Sequence, residues 1–310
     1  MYKTKTLLFL VVGFVAVIVV LRLQGRQTAS PSFVIGVPER ITLPDGFENA
    51  VWSPVDSDVL AFINKSIPGT FVHSVRTRET TKLSGTVAGF KFSWTEDGTG
   101  IFFRDTSDGL MAIKKIDARS GQISTLIESA KKLEFPQETK PGLIRFGQDE
   151  DQEIKFFSIA TDKERAAAEP FVYQENDHIY VMRDGSKQRL TDGLGKYYLP
   201  ILSPDASKVV FEEIATGLYI ANLSSAKIVH LGEGTNAAWS PDSQYVIYEV
   251  TGDDGHSIAR SELYIADILG HKTQVTNTPT LIERRPAWSP DRTRIAFDAN
   301  GAIYIANLRR

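Results

Sequence analysis

Ala238-Trp239-Ser240-Pro241-Asp242 and Ala287-Trp288-Ser289-Pro290-Asp291 are near-copies, and each has its own follower, Leu263-Tyr264-Ile265-Ala266-Asp267 and Ile303-Tyr304-Ile305-Ala306-Asn307. Serine at the first turn position can bond the backbone, proline presets φ at the second, and aspartate at the third accepts local amides. Ser-Pro-Asp therefore encodes a type I turn. Related turns recur upstream as Val51-Trp52-Ser53-Pro54, Ser93-Trp94-Thr95-Glu96-Asp97-Gly98 and Leu202-Ser203-Pro204-Asp205. Each turn precedes a short β-rich run, at 59–62, 100–103, 209–211, 246–248 and 295–297. The pattern is strand, tight turn, strand. A tryptophan that recurs once per unit just before the turn is read as packing between neighbouring units, not as a ligand cage.

Working outward, Ile179-Tyr180-Val181, Leu218-Tyr219-Ile220, Leu263-Tyr264-Ile265 and Ile303-Tyr304-Ile305 read as a second class of strand, with Phe71-Val72 and Met111-Ala112-Ile113 in equivalent places. A third class follows at Lys82-Leu83-Ser84, Ser124-Thr125-Leu126, Arg189-Leu190-Thr191, Ile228-Val229 and Gln274-Val275-Thr276. Units of about 40 residues with four short antiparallel strands are the signature of propeller blades. The tyrosine strands count six units, but the last ends one strand short, because the chain stops at Arg310. Val37-Pro38-Glu39-Arg40-Ile41-Thr42 matches Gln188-Arg189-Leu190-Thr191 and would complete the last blade from the amino-terminal side. The fold expected is an all-β, six-bladed propeller of four-stranded antiparallel blades, closed by its own first strand, which leaves fewer exposed sheet edges.

The third unit is irregular: 53 positions separate Leu126 from Ile179 and no Ser-Pro-Asp turn lies between them. An insertion is placed at about 147–170. It carries an acidic stretch at 148–153 and a capping box, Thr161-Asp162-Lys163-Glu164, opening a short helix through Ala166, Ala167 and Ala168 that Pro170 ends. It reads equally as a functional loop or a solvated excursion.

Residues 1–30 stand apart. Lys3 and Lys5 precede an uncharged apolar run over 7–21, and Arg22 and Arg26 follow it. Its fifteen residues span about 22 Å against a hydrocarbon core of roughly 30 Å, so crossing needs flanking residues or a thinned bilayer. No small-residue cleavage site follows, which favours an uncleaved signal anchor with the amino terminus inside and the bulk of the chain outside. Residues 31–310 then form the propeller domain.

Hydrophobic residues at 42% and charged residues at 24% fit a folded domain. Thirty-five Lys and Arg against 38 Asp and Glu leave a net charge of -3, without the basic excess of a nucleic-acid binder. Cysteine is absent, which removes disulfides, zinc-thiolate sites and thiol nucleophiles.

At its turns and tyrosine strands the chain, over about 33–310, resembles the WD40-like repeats of the TolB-type propellers, shared by periplasmic TolB and the propeller domains of prolyl-oligopeptidase-like peptidases. The resemblance implies a six-bladed propeller in the cell envelope that binds other proteins. The amino-terminal α/β domain of TolB has no counterpart here, an anchor standing in its place. Nor does the α/β-hydrolase domain of the peptidases, so the propeller is expected to stand alone.

No G-x-S-x-G elbow, H-E-x-x-H motif, Walker-type phosphate loop or calcium loop occurs. Accordingly no catalytic, cofactor, nucleotide or metal residues are assigned. His73, His178, His230, His256 and His271 lack metal-ligand spacing, although a channel can gather distant ones. Glu212 and Glu213 point to opposite faces of a strand and cannot pair, and Asp253 and Asp254 read as a solvated hairpin turn. The expectation is a non-enzymatic, membrane-anchored scaffold on the periplasmic or extracytoplasmic side that binds an envelope protein. The alternatives are a glycan lyase or hydrolase and a sensor of a small ligand or glycan, both using the channel.

Overall fold

The computed structural model describes residues 32–310 except Pro44, Gly89, Phe90, Asp108, Lys132, 134–136, 141–142, 151–152 and 160–169. The apolar run at 7–21 and the helix expected around 161–168 lie outside the described residues. Among those described there are 27 strands and no helix. None of them forms a helix long and apolar enough to cross a membrane.

Strands β1 (Val34–Ile35) and β2 (Glu39–Arg40) open the chain. The first blade follows as β3 (Phe47–Trp52), β4 (Val59–Asn64), β5 (Gly69–Ser74) and β6 (Glu79–Ser84), and the second as β7 (Ser93–Trp94), β8 (Gly100–Ser107), β9 (Leu110–Asp117) and β10 (Ile123–Ser129). A separate three-stranded sheet comes next, β11 (Gln137–Lys140), β12 (Leu143–Glu150) and β13 (Glu153–Ile159). The third blade is β14 (Phe171–Glu175), β15 (His178–Arg183) and β16 (Ser186–Arg189). The fourth is β17 (Tyr197–Leu202), β18 (Lys208–Glu213), β19 (Gly217–Asn222) and β20 (Ile228–Gly232). The fifth is β21 (Thr235–Trp239), β22 (Tyr245–Asp253), β23 (Ile258–Asp267) and β24 (Lys272–Gln274). The sixth is β25 (Glu283–Trp288), β26 (Arg294–Ala299) and β27 (Ala302–Arg309), completed by β1 and β2.

Two features differ from the expectation. The third blade has three strands among the described residues, not four. The added chain is also not a loop where it is described: Gln148, Asp149 and Glu150 pair with Lys155, Ile154 and Glu153 in a hairpin, and its sheet reaches back to Gln137.

Closure of the ring is built as the repeat count requires. Val34 and Ile35 pair with Arg309 and Leu308, and Glu39 and Arg40 pair with Ile305 and Tyr304. Between and beyond these pairs, Gly36 N donates to Asn307 O (2.8 Å), Ile41 N to Ile303 O (2.9 Å), and Ile303 N to Thr42 Oγ1 (2.9 Å).

Each second strand is sandwiched between neighbouring blades, so Leu60-Ala61-Phe62-Ile63, Val209-Val210-Phe211 and Ile295-Ala296-Phe297 are buried on both faces. This explains why these runs are continuously apolar rather than alternating. The core accordingly divides into shells shared by adjacent blades. Phe62, Leu60 and Trp52 of the first blade meet Ala296, Ile303 and Ile305 of the sixth, with Ile41 of the closing strand against them. Val172, Ile179 and Val181 of the third meet Val209 and Phe211 of the fourth. Each fully buried Phe, Leu or Ile contributes about 1.5–3 kcal/mol, so these shells are the main force holding blade to blade.

Candidate functional site

Within a blade, successive strands reverse direction, so the loops after first and third strands lie on one face and the loops after second and fourth strands on the other. The former, which carries the Ser-Pro-Asp sequences, is the turn face. Third strand β27 runs toward it, and β1 pairs with the end of β27, so the chain reaches the ring from the turn face.

The turns share one chemistry. In the fourth blade Ser203 Oγ donates to Asp205 Oδ1 (2.6 Å) and accepts from Lys208 N (2.9 Å), after Pro204. Ser240 and Asp242 around Pro241, and Ser289 and Asp291 around Pro290, repeat the Ser–Asp bond at 2.6 Å. Thr95 stands in for serine beside Asp97 at 2.5 Å. The next residue has positive φ in all four, Gly98, Ala206, Ser243 and Arg292, making a type I turn followed by a left-handed residue. The first blade departs: Ser53-Pro54 leads into a longer turn in which Asp56 Oδ1 accepts Asp58 N at 2.9 Å. The Thr95 hydroxyl and Thr99 amide hold the Asp97 carboxyl down to about 2. Partial burial opposes the same effect at Asp291, but the Ser289 and Thr293 bonds outweigh it and leave that carboxyl at about 2. Asp205 and Asp242 are lowered likewise, again against burial.

The tryptophans lie between blades. Trp94 Nε1 donates to Val51 O and Trp239 Nε1 to Ile201 O, each at 3.0 Å and each in the preceding blade. The indole nitrogens of Trp52 and Trp288 are buried without a partner among the described residues. The Arg294 guanidinium lies 5.2 Å from the Trp52 ring, and Phe33 packs edge-on to Trp288 at 6.0 Å.

A charged lattice surrounds the mouth of the channel on the face opposite the turns. Three residues before each tryptophan, or before Leu202, stands a residue of positive φ: Asn49 (60°), Lys91 (63°), Leu199 (51°), Asn236 (52°) and Arg285 (49°), and at all but Lys91 the first strand bulges there. A bulge releases a backbone N–H from the ladder, and it needs an acceptor. Three successive blades supply one from the second strand: Glu212 accepts Asn236 N (2.9 Å), Glu249 accepts Arg285 N (2.6 Å), and Asp298 accepts Asn49 N (3.0 Å). The remaining valences are filled as well. Glu249 takes Arg284 Nε (2.5 Å) and Asn236 Nδ2 (3.0 Å), and Asp298 takes Arg285 through Nε and Nη2, both 2.8 Å. Arg285 Nη2 reaches Glu48 of the first blade (2.8 Å), and Thr235 Oγ1 donates to Glu212 (2.6 Å).

Burial pushes the Glu249 and Asp298 carboxyls up against the pull of these donors. It pushes the Lys91 amine down to about 8, with Glu212 opposing, and the Tyr198 phenol up to about 12, with Glu212 adding to the rise.

Sequence reasoning placed none of Glu249, Arg284, Arg285 or Asp298 in a site. One signal was available, a polar residue at the third position before Trp52, Trp94, Trp239 and Trp288. Glu212 and Glu213 do diverge: Glu212 joins the lattice, while Glu213 accepts Thr216 Oγ1 (2.7 Å) and Ala215 N (2.9 Å) in its own turn. Asp253 and Asp254 cap the tip of the long β22–β23 hairpin through Gly255 N and His256 N.

The histidines are scattered. His73 meets Thr80 Oγ1 (2.9 Å), His178 Thr191 Oγ1 (3.2 Å), His230 Thr216 O (2.8 Å) and His271 Asp267 Oδ2 (2.9 Å), while His256 is exposed on the hairpin tip. Among the described residues no three metal-ligating side chains come together.

The face opposite the turns exposes Leu194 (102%), Leu43 (72%), Ile214 (68%) and Ile67 (49%) on its loops. Leu194 sits between Gly193 and Gly195, beside the partly buried Tyr197. Tyr219, stacked 4.5 Å from His230, lies next to Tyr197 at 6.2 Å.

No family model and no curated protein sequence matches the chain. Solved structures do. The propeller domain of Cps50 (Swd1) from Myceliophteria thermophila is 14% identical, covering 89% of this chain and 99% of that one with a TM-score of 0.57. A putative TolB from Agrobacterium tumefaciens is 16% identical over 90% and 99%, at 0.54. TolB from Acinetobacter baumannii is 15% identical over 84% and 68%, at 0.53. With the blade topology and repeated turns above, these likenesses establish that the chain has the fold of the TolB-type propellers.

Proposed function

We propose that the protein is a non-enzymatic scaffold, anchored in the membrane through residues 7–21, that presents its propeller to another protein of the cell envelope on the extracytoplasmic side. The observation that carries this reading is the use made of the charges at the channel mouth. Glu212, Glu249 and Asp298 are each engaged by the first strand of the following blade, and Arg284 and Arg285 by those carboxylates. Groups so engaged make a rigid frame, and loops on a rigid frame are where binding residues concentrate. The chain reaches the ring from the turn face, so an anchor there leaves the opposite face, with Leu194, Ile214, Ile67 and the long hairpin, directed away from the bilayer.

The test is positional. A photoreactive side chain at Leu194 or Ile214 should join the protein to one discrete envelope protein, whereas the same group at Val55 or Leu269 on the turn face should not. Equal labelling from both faces contradicts the assignment. Removal of residues 1–30 should move the protein out of the membrane fraction, and retention there contradicts the anchor.

A further inference from the structure

Glu283 opens the first strand of the sixth blade, and the lattice at the channel mouth does not use it. Its side chain is fully buried (0% exposed), and Oε2 has no partner among the described residues. Oε1 accepts the hydroxyl of Thr278, which lies in the 275–282 connection between the fifth and sixth blades on the face opposite the turns. The amide of the same threonine donates to both oxygens of Glu262 on β23, at 3.2 and 3.3 Å. Thr278 is thus held between two carboxyl groups, one of them cut off from water. Ser261 Oγ donates to the backbone carbonyl of Glu283, and Leu281 N to Thr278 O (3.1 Å), so the connection is tied at several points.

Among the described residues the charges around Glu283 leave it without a cation. From β23 the facing group is Glu262, a like charge. On its own strand Arg284 is committed to Glu249 of β22, and Arg285 to Asp298 and Glu48. On β26 the residue opposite Glu283 is Ala299. A buried carboxylate with an unpaired oxygen and a negative neighbour is tolerated only in its neutral form.

We propose that Glu283 is a proton-operated latch: with its carboxyl neutral the 275–282 connection is held closed, and ionisation of the carboxyl opens that connection so that water can reach the charge. Burial, with Glu262 adding, raises this carboxyl to about 7, so the latch works near neutral pH. The sign follows from the direction of the shift. A group raised in the closed state favours closure fully below its ordinary value of 4.5 and loses that contribution as pH rises through about 7.

Amide hydrogen exchange of the full chain between pH 5 and 9 tests the latch, after correction for intrinsic base catalysis. Between the carboxyl's ordinary value of 4.5 and about pH 7 the opening equilibrium at Thr278 and Leu281 should rise by up to about tenfold per pH unit and level off above that, while β22 and β23 amides stay level. Glu283→Gln should abolish the extra slope. Glu262→Gln removes the like charge that helps raise the closed-state carboxyl and should bring the levelling-off to lower pH. Equal pH dependence in the wild type and Glu283→Gln overturns the latch. If that variant does not fold, a levelling-off point unmoved in Glu262→Gln overturns it instead.

Discussion

Arg285 is the residue on which the channel mouth turns, because its guanidinium joins Asp298 of its own blade to Glu48 of the first, while its amide occupies Glu249 of the fifth. Arg285→Ala leaves the buried Asp298 without its cation, while Glu48 keeps Lys65, and should cost about 3–5 kcal/mol in chemical denaturation, as breaking a largely buried pair from one side does. Arg285→Lys, which cannot form the two-pronged contact, should recover only part of that loss. The tryptophans allow a finer comparison. Trp94 and Trp239 donate to the preceding blade, whereas the Trp288 nitrogen has no partner among the described residues. Trp94→Phe and Trp239→Phe should therefore each cost about 1 kcal/mol more than Trp288→Phe. At the turns, Asp97 and Asp291 at about 2 are depressed below their ordinary 3.8. Their contribution is present above the ordinary value and lost as pH falls through the folded one. Acid titration should thus show stability declining between about pH 4 and 2, less steeply in Asp97→Asn.

Among the elements, the closing strand is the most exposed to a single change. Ile41 donates its amide to Ile303 O and packs its side chain against the core shared by the first and sixth blades. Ile41→Pro removes the donor without adding charge and should lower stability by at least about 1–3 kcal/mol, measured by thermal melting. This strand was legible from the sequence because 37–42 repeats the chemistry of 188–191, and its register follows from the blade it completes. The Ser-Pro-Asp turns were legible for the same reason: a serine, a proline and an aspartate within four positions carry their own hydrogen-bond plan. The third blade was not, since no such turn marks where its first strand should be, and a sheet over 137–159 stands in the chain before it.

For the whole molecule, stability is distributed around a ring in which each blade buries its second strand against its neighbours. The channel-mouth lattice escaped sequence reasoning because its partners are brought together by the packing of strands and blades, and at the seam only by closure: Arg285 and Glu48 lie 237 positions apart, and Asn49 and Asp298 lie 249 apart. Their types suggested nothing until the bulges aligned them. The same circularity underlies the proposed role, for a face can be displayed as a fixed surface only if the ring is shut. Because the chain has no cysteine of its own, one engineered pair tests this without background. Arg40 and Tyr304 are direct antiparallel partners, at a spacing suited to a disulfide. With both replaced by cysteine, the full chain should oxidise to a single intramolecular species that melts at a higher temperature than its reduced form. Failure to form that bond, under conditions where the neighbouring-strand pair Ala61 and Val72 replaced by cysteine does form one, would contradict the closed ring.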